Sequence, residues 1–182
     1  MKPEYEARFL AIDVDAVLAQ LRSHGATNTM PRTLMRRIVF KNSDIDARGG
    51  WLRLRDEGHR TTMTYKQTTS ATSAIDTTLE AEIEVNDFAA TRALLEAMGF
   101  VAVRYQENYR EEWKLDGVTF DLDTWPDLPT FLEIEGAGED AVHAAATRLG
   151  FDPAGASYGS VDEVYLAVLA RDILTEDTLT FA

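Results

Sequence analysis

The chain has 182 residues, 45% of them hydrophobic, enough for one compact domain with a buried core and cramped for two. Its 31 Asp and Glu against 18 Lys and Arg give a net charge of −13, which argues against a general binder of nucleic-acid backbone or of anionic lipid. Cysteine is absent, so disulfides, thiolate catalysis and Cys-ligated zinc are excluded. The acidic N-terminus lacks the basic and then apolar pattern of a signal peptide, and no run reaches membrane-spanning length, so the expected location is the cytoplasm.

In chain order, EYEARFL (residues 4–10) alternates strictly: as a strand it puts Glu4, Glu6 and Arg8 on one face and Tyr5, Ala7 and Phe9 on the other. IDVDAVLAQLRSHGA follows with Val14, Val17, Leu18 and Leu21 at helical spacing, Asp13 as N-cap and Gly25 as the stop. TLMRRIVFKN, GWLRLRD and TTMTYKQ read as strands, separated by the turn-rich NSDIDARGG and DEGH. TTSATSAIDTT is polar and β-branched without apolar alternation, and reads as a long mobile loop. EIEVNDFAATRALLEAMGF joins a strand carrying Glu82 and Glu84 to a helix capped by Asn86 or Asp87 and stopped at Gly99. NYREEWKLD and VTFDLDTW supply two more strands. After the turn WPDLP, EIEGAGEDAVHAAATRLGF repeats strand then helix, with Glu133 and Glu135 on the strand and Gly150 at the end. GSVDEVYLAVLARDIL opens on Ser160 and Glu163 as a capping box and continues as a last helix. Residues 1–174 are expected to form a single domain and 175–182 a frayed tail.

Five later strands repeat the parity of the first. Arg53 and Arg55 oppose Leu52 and Leu54; Thr62, Thr64 and Lys66 oppose Met63 and Tyr65; Glu82 and Glu84 oppose Ile83 and Val85. Asp121 and Asp123 oppose Phe120 and Leu122, and Glu133 and Glu135 oppose Leu132 and Ile134. Such a sheet is either open, with its charges in bulk water, or closed into a barrel whose apolar outside is covered by helices and whose charges line the lumen. Basic and acidic residues segregate onto different strands, as a site requires, and this favours the closed form: an α+β fold, mainly antiparallel β, with amphipathic helices packed outside. A lumen of Arg8, Arg53, Arg55, Lys66 and Arg110 beside Glu4, Glu6, Glu82, Glu84, Asp123, Glu133 and Glu135 must be wet and must pair its charges or bind ions. An oligophosphate held by Arg and Lys, with Mg²⁺ or Mn²⁺ between phosphate oxygens and carboxylates, answers both signs. The plainer reading of each strand is a solvated face with weak ion pairs; its recurrence across strands weighs against it. His24, His59 and His143 stand isolated, and Trp51, Trp113 and Trp125 read as packing residues.

Taken in order, these residues resemble the CYTH family, the triphosphate tunnel metalloenzymes that include class IV adenylate cyclases, thiamine triphosphatases and inorganic triphosphatases. The family's Glu-x-Glu-x-Lys opening is similar to Glu4, Glu6 and Arg8, its LRIR-like strand to Arg53 and Arg55, and its Thr-x-Lys strand to Thr64 and Lys66. Its central acidic strand is similar to Glu82 and Glu84, its Lys-x-Arg strand to Asn108 and Arg110, and its closing Asp with a later Glu-x-Glu to Asp123, Glu133 and Glu135. The resemblance implies an eight-stranded antiparallel tunnel. In it Glu4, Glu6, Asp123, Glu133 and Glu135 would hold Mg²⁺ or Mn²⁺, and Arg8, Arg37, Lys41, Arg53, Arg55, Lys66 and Arg110 would contact phosphate. Glu82 and Glu84 would be accessory acids, and Arg8 with Glu6 would be catalytic. The implied partner is a small-molecule triphosphate or nucleotide, with no nucleic acid and no membrane, for a monomer or homodimer. Hydrolytic relatives pair a Lys and a Tyr to handle the attacking water; here Arg8 and Val39 stand in those positions, and Arg stays protonated and cannot serve as a base. Three readings follow, in this order: hydrolysis of a triphosphate, cyclisation of ATP to cyclic AMP and pyrophosphate, and binding without turnover.

Overall fold

The computed structural model describes residues 1–69, 75 and 78–182. The alternating segments form β1 (Lys2–Phe9), β2 (Thr27–Lys41), β3 (Gly50–Asp56), β4 (Thr61–Thr68), β5 (Thr78–Val85), β6 (Val101–Leu115), β7 (Val118–Thr124) and β8 (Phe131–Gly136). They hydrogen-bond in the order β2-β3-β4-β5-β1-β8-β7-β6, and β2 pairs back onto β6, so the sheet closes on itself with every pairing in the ring antiparallel. This is the closed eight-stranded tunnel that the segregated charges predict. Strands β2 and β6 are longer than their alternation indicates. Their mutual ladder is interrupted by register shifts between Met30 and Thr33 and between Val39 and Phe40. Pro31, which has no N–H to donate, falls in the first of these irregularities.

Helices cover the apolar outside. Helix α1 (Val14–Ser23) is capped by Asp13, whose side chain accepts from the Ala16 N–H, and is followed by Gly25 at φ 79°. A single turn, α2 (Ser43–Asp46), lies within NSDIDARGG, where only turns were expected; the Asn42 side chain caps it by accepting from the Ile45 N–H. Helix α3 (Phe88–Ala97) takes Asp87 rather than Asn86 as its cap and ends before Gly99 at φ 87°. Helix α4 (Glu139–Arg148) follows β8 directly. Val17 and Leu21 of α1 and Val142 and Ala146 of α4 pack on Ala7, Phe9, Phe120, Leu122, Leu132 and Ile134, the strand residues opposite the charges. Leu95 of α3 does the same against Ile38, Phe40 and Leu54. Each such aliphatic or aromatic burial contributes about 1.5–3 kcal/mol, so the covered face cannot also be the charged one.

Two expectations near the C-terminus are corrected. Helix α5 (Val161–Leu169) has Ser160 as its N-cap as predicted, but the Ser160 side chain makes no cap bond, so its half of the capping box does not form. The helix is held instead by Tyr165, fully buried, whose hydroxyl donates to the Pro126 carbonyl at 2.5 Å, within a cluster of Trp125, Leu128, Phe131, Val164, Ile173 and Leu179. The tail does not fray. Thr178–Leu179 form β9, a strand parallel to β6 at Tyr105 and Gln106; Leu179 is buried and the Phe181 ring lies 4.9 Å from that of Tyr109. A stop after Glu176 should lower the urea midpoint by an amount equivalent to about 2–4 kcal/mol, because a buried leucine and its ladder bonds are lost. The ends of TTSATSAIDTT belong to β4 and β5; residues 70–74 and 76–77, on which the mobile-loop expectation falls, lie outside the described residues. Among the described residues, no helix is long and apolar enough to cross a membrane.

Candidate functional site

The barrel encloses a cavity of about 540 Å³, and every predicted site residue except Glu84 lines it. Glu84 is exposed near the end of β5, beside Asp56, His59 and Arg60 in a shallow surface depression, so the parity argument overshoots the lumen by one position. The residue of matching parity at the other end, Glu80, does line the cavity. Lys41 is at the rim, where its Nζ donates to Asp46 of α2 at 2.5 Å. Val39, at the position of the family's tyrosine, also faces the lumen.

One wall is acidic. Register places Glu6 opposite Glu135 and Arg8 opposite Glu133 across the β1–β8 ladder. Arg8 Nε donates to Glu133 at 2.8 Å, while its Nη2 donates to Glu6 and its Nη1 to the Gly159 carbonyl, so the whole guanidinium is engaged. Lys66 Nζ donates to both Glu4 oxygens, at 2.5 and 2.7 Å, and pairs with Glu80 at 3.2 Å. Arg110 forks Asp123 at 2.7 and 2.6 Å and also meets Glu133 at 3.0 Å and Asp121 at 2.5 Å. The acids still outnumber these cations. Burial, with Glu133 and Glu4 adding to it, pushes the Glu6 carboxyl up to about 8 against the pull of Arg8. Burial and the Glu4, Glu133 and Glu80 carboxylates push Glu135 up to about 7. Burial holds Asp121 well above the usual carboxylate range, since one Arg110 is shared among three acids.

The facing wall is basic. Arg37 is only 7% exposed; its Nη2 donates to the Asn108 amide oxygen and its guanidinium lies 4.5 Å from the centre of the Trp125 ring. Burial, then repulsion from Arg53 and Arg55, holds its pKa well below the usual guanidinium range. Arg53 Nη2 donates to Thr64 at 3.1 Å and to Glu82 at 3.3 Å, and the buried Nε atoms of both Arg37 and Arg53 have no partner. Arg55 is lowered to about 10 by burial and by repulsion from Arg53 and Arg110. Asn108, where the family motif has Lys, donates to Asp123 at 3.3 Å and so links Arg37 to the acidic wall.

Several lining residues escaped sequence reasoning. Arg104 and Gln106 sit in the part of β6 whose alternation is broken, and Gly159 to Glu163 at the start of α5 enter the lumen only through tertiary packing. Glu57, which does not line the cavity but hydrogen-bonds to Arg55, carries a legible signal: it extends the parity of Arg53 and Arg55 by one more step, into the DEGH turn. Among the described residues, no three His, Asp or Glu side chains converge as a ready-made metal cage, because Arg8, Lys66 and Arg110 occupy the carboxylates. The donor chemistry nonetheless fits a hard divalent cation: the oxygen ligands are in excess, burial and neighbouring carboxylates raise Glu6 and Glu135 above the usual carboxylate range, and the buried Asp121 Oδ1 has no partner.

A closed antiparallel tunnel with charged walls inside and helices outside defines the class of this protein. The CYTH domain family matches residues 2–150, and the chain belongs to that family. Among solved structures it is similar to the PH1012 protein of Pyrococcus horikoshii OT3, with 22% identity and a TM-score of 0.68 over 85% of this chain and 94% of that one. It is similar also to a proposed adenylate cyclase of Vibrio parahaemolyticus, with 14% identity and a TM-score of 0.74 over 90% of this chain and 97% of that one. A third is HpAC1 of Hippeastrum, a proposed adenylyl cyclase that reveals a dominant triphosphatase activity, with 16% identity and a TM-score of 0.59 over 91% of this chain and 94% of that one. At these identities the likeness is one of fold. No curated protein matches the chain.

Proposed function

We propose that this chain is a metal-dependent phosphohydrolase acting on a triphosphate-containing small molecule bound in the tunnel. The observation that carries the reading is the double imbalance within one cavity: guanidinium groups of Arg37 and Arg53 with buried, unpartnered Nε atoms on one wall, and carboxyls of Glu6 and Glu135 raised by burial and by neighbouring carboxylates on the other. A ligand that brings several phosphate charges together with a divalent cation relieves both. Arg37, Arg53 and Arg55 would take the phosphates, with Lys66, Lys41 and Arg8 at their margins; Glu4, Glu6, Glu133 and Glu135, with Asp123, would hold Mg²⁺ or Mn²⁺. Bound there, the metal would supply charge neutralisation and polarisation of the phosphoryl oxygens. Water would attack a terminal phosphorus, the bond to the bridging oxygen would break with its electron pair remaining on the departing pyrophosphate or organic diphosphate, and the proton of the water would pass to a phosphate oxygen or to solvent. Arg8 would stabilise charge and would not accept the proton of that water, since the carboxylates around it raise its pKa further above its usual value. On this reading residues 1–174 make the tunnel domain, 175–182 a tail bound to it, and the protein works in the cytoplasm as a monomer or homodimer.

A second reading, a receptor that binds a triphosphate without turnover, is favoured by Val39 in the lumen and by the fully engaged Arg8. The test is a phosphorus NMR time course with Mg²⁺ or Mn²⁺ and, in separate tubes, tripolyphosphate and ATP. Orthophosphate release is the expected result. Pyrophosphate with 3′,5′-cyclic AMP from ATP would replace hydrolysis by cyclisation, and shifted or broadened phosphate lines without products would leave the receptor reading.

A further inference from the structure

Glu57 is 2% exposed and is not among the residues that line the tunnel. It stands at the hairpin between β3 and β4, where its backbone N–H donates to the Arg60 carbonyl at 2.9 Å and so pins its position. Every bond of its carboxylate is directed at the basic wall. Oε1 accepts from Arg55 Nε at 2.8 Å, from Arg55 Nη2, and from the Thr62 hydroxyl at 3.1 Å; Oε2 accepts from Arg60 Nε at 2.7 Å. Although burial opposes ionisation, Arg55 and then Arg60 hold the carboxyl down at about 2. Among the described residues, Glu57 is the acid that pairs with Arg55. Of its other neighbours in charge, Arg53 and Arg110 repel it, and Glu82 attracts it less than Glu57 does.

We propose that Glu57 is a positioning residue, which clamps the Nε edge of Arg55 so that the rest of the guanidinium fork is presented to a phosphate group of the ligand in the tunnel. A long cationic side chain among other cations would otherwise swing away from them, and its ordering would have to be met at the moment of binding. The inference rests on the triphosphate reading of the site, and it separates cleanly from a charge effect. Loss of a carboxylate beside an anion site should by itself tighten anion binding; loss of the clamp should weaken it.

Inorganic tripolyphosphate, without metal, is titrated by calorimetry into the wild-type protein, Glu57→Gln, Arg55→Gln and the double variant. Glu57→Gln is expected to bind about 2–13-fold more weakly than wild type, the range for an ordered long side chain set free. In the Arg55→Gln background the same change should have an effect of less than about 2-fold, because the clamp has nothing left to hold. Equal or tighter binding by Glu57→Gln, or an equal loss with Arg55 already replaced, overturns the inference and leaves the triphosphate reading standing. Absence of binding by the wild-type protein, both without metal and with Mg²⁺ present, overturns both. If Glu57→Gln does not fold, the Arg55 Nε–H signal of the wild-type protein decides by nitrogen–proton NMR. Protection from exchange before tripolyphosphate is added, with little change afterwards, supports the clamp; protection that arises only with the ligand overturns it.

Discussion

Glu4→Ala combined with Glu6→Ala is expected to lower metal-dependent turnover by about 10³-fold or more, in keeping with the several kcal/mol that metal-assisted phosphoryl chemistry draws from its ion. The fold should survive. Lys66 loses Glu4 but keeps Glu80, and Arg8 loses Glu6 but keeps Glu133 and the Gly159 carbonyl. Burial moreover holds the Glu6 carboxyl above the usual carboxylate range, so its loss costs the fold less than loss of a well-solvated or fully compensated charge would. Phosphorus NMR reads the turnover, calorimetric titration with Mn²⁺ reads the metal, and a melting curve within a few degrees of wild type shows that the barrel remains. Retained Mn²⁺ affinity with retained turnover would remove Glu4 and Glu6 from the metal site and transfer that role to Glu133, Glu135 and Asp123.

Arg110→Ala should act in the opposite way, on stability first. Arg110 is the sole ion-pair partner of Asp121 and Asp123 among the described residues, and both aspartates are 2% exposed. Removing it strands two buried acids, a change that typically destabilises by about 3–5 kcal/mol. Glu133 is less affected, because Arg8 still meets it. Arg110→Lys retains the charge without the planar fork and should fall between the two. Urea unfolding at neutral pH measures all three proteins. A loss below about 1 kcal/mol for the alanine variant would mean that water replaces the guanidinium, and hence that this stretch of the lumen is wetter than its burial indicates.

Much of the fold was legible because strand parity is a local property. Glu4, Glu6 and Arg8 share a face whatever their partners are, and GWLRLRD coincides with β3 from Gly50 to Asp56. The helix limits at Asp13, Asp87 and Gly99 were equally local, set by a side-chain oxygen reaching a backbone N–H two or three residues on and by a glycine that tolerates positive φ. Where alternation breaks, the reading failed: the first half of β6, with Arg104 and Gln106, was not recognised as strand, and TEDTLTFA gave no sign of β9. Those segments are extended because a neighbouring strand offers unpaired backbone groups, a fact recorded nowhere in their own residues. Glu84 illustrates the converse error, since parity assigns a face but not the height at which a strand leaves the barrel.

By itself, then, the amino-acid order determined which side chains lie together on each strand, which face is apolar and must be covered, and that one face carries both signs of charge in separate strands. Only the tertiary structure decided that the sheet closes through β2 and β6, that Glu6 meets Glu135 and Arg8 meets Glu133, and that Arg55 is held by Glu57 while Arg37 and Arg53 keep unpartnered Nε atoms. Register and closure depend on contacts between residues far apart in the chain, and so does the balance of charge in a cavity that eight strands share. A pattern with a period of two residues says nothing about either.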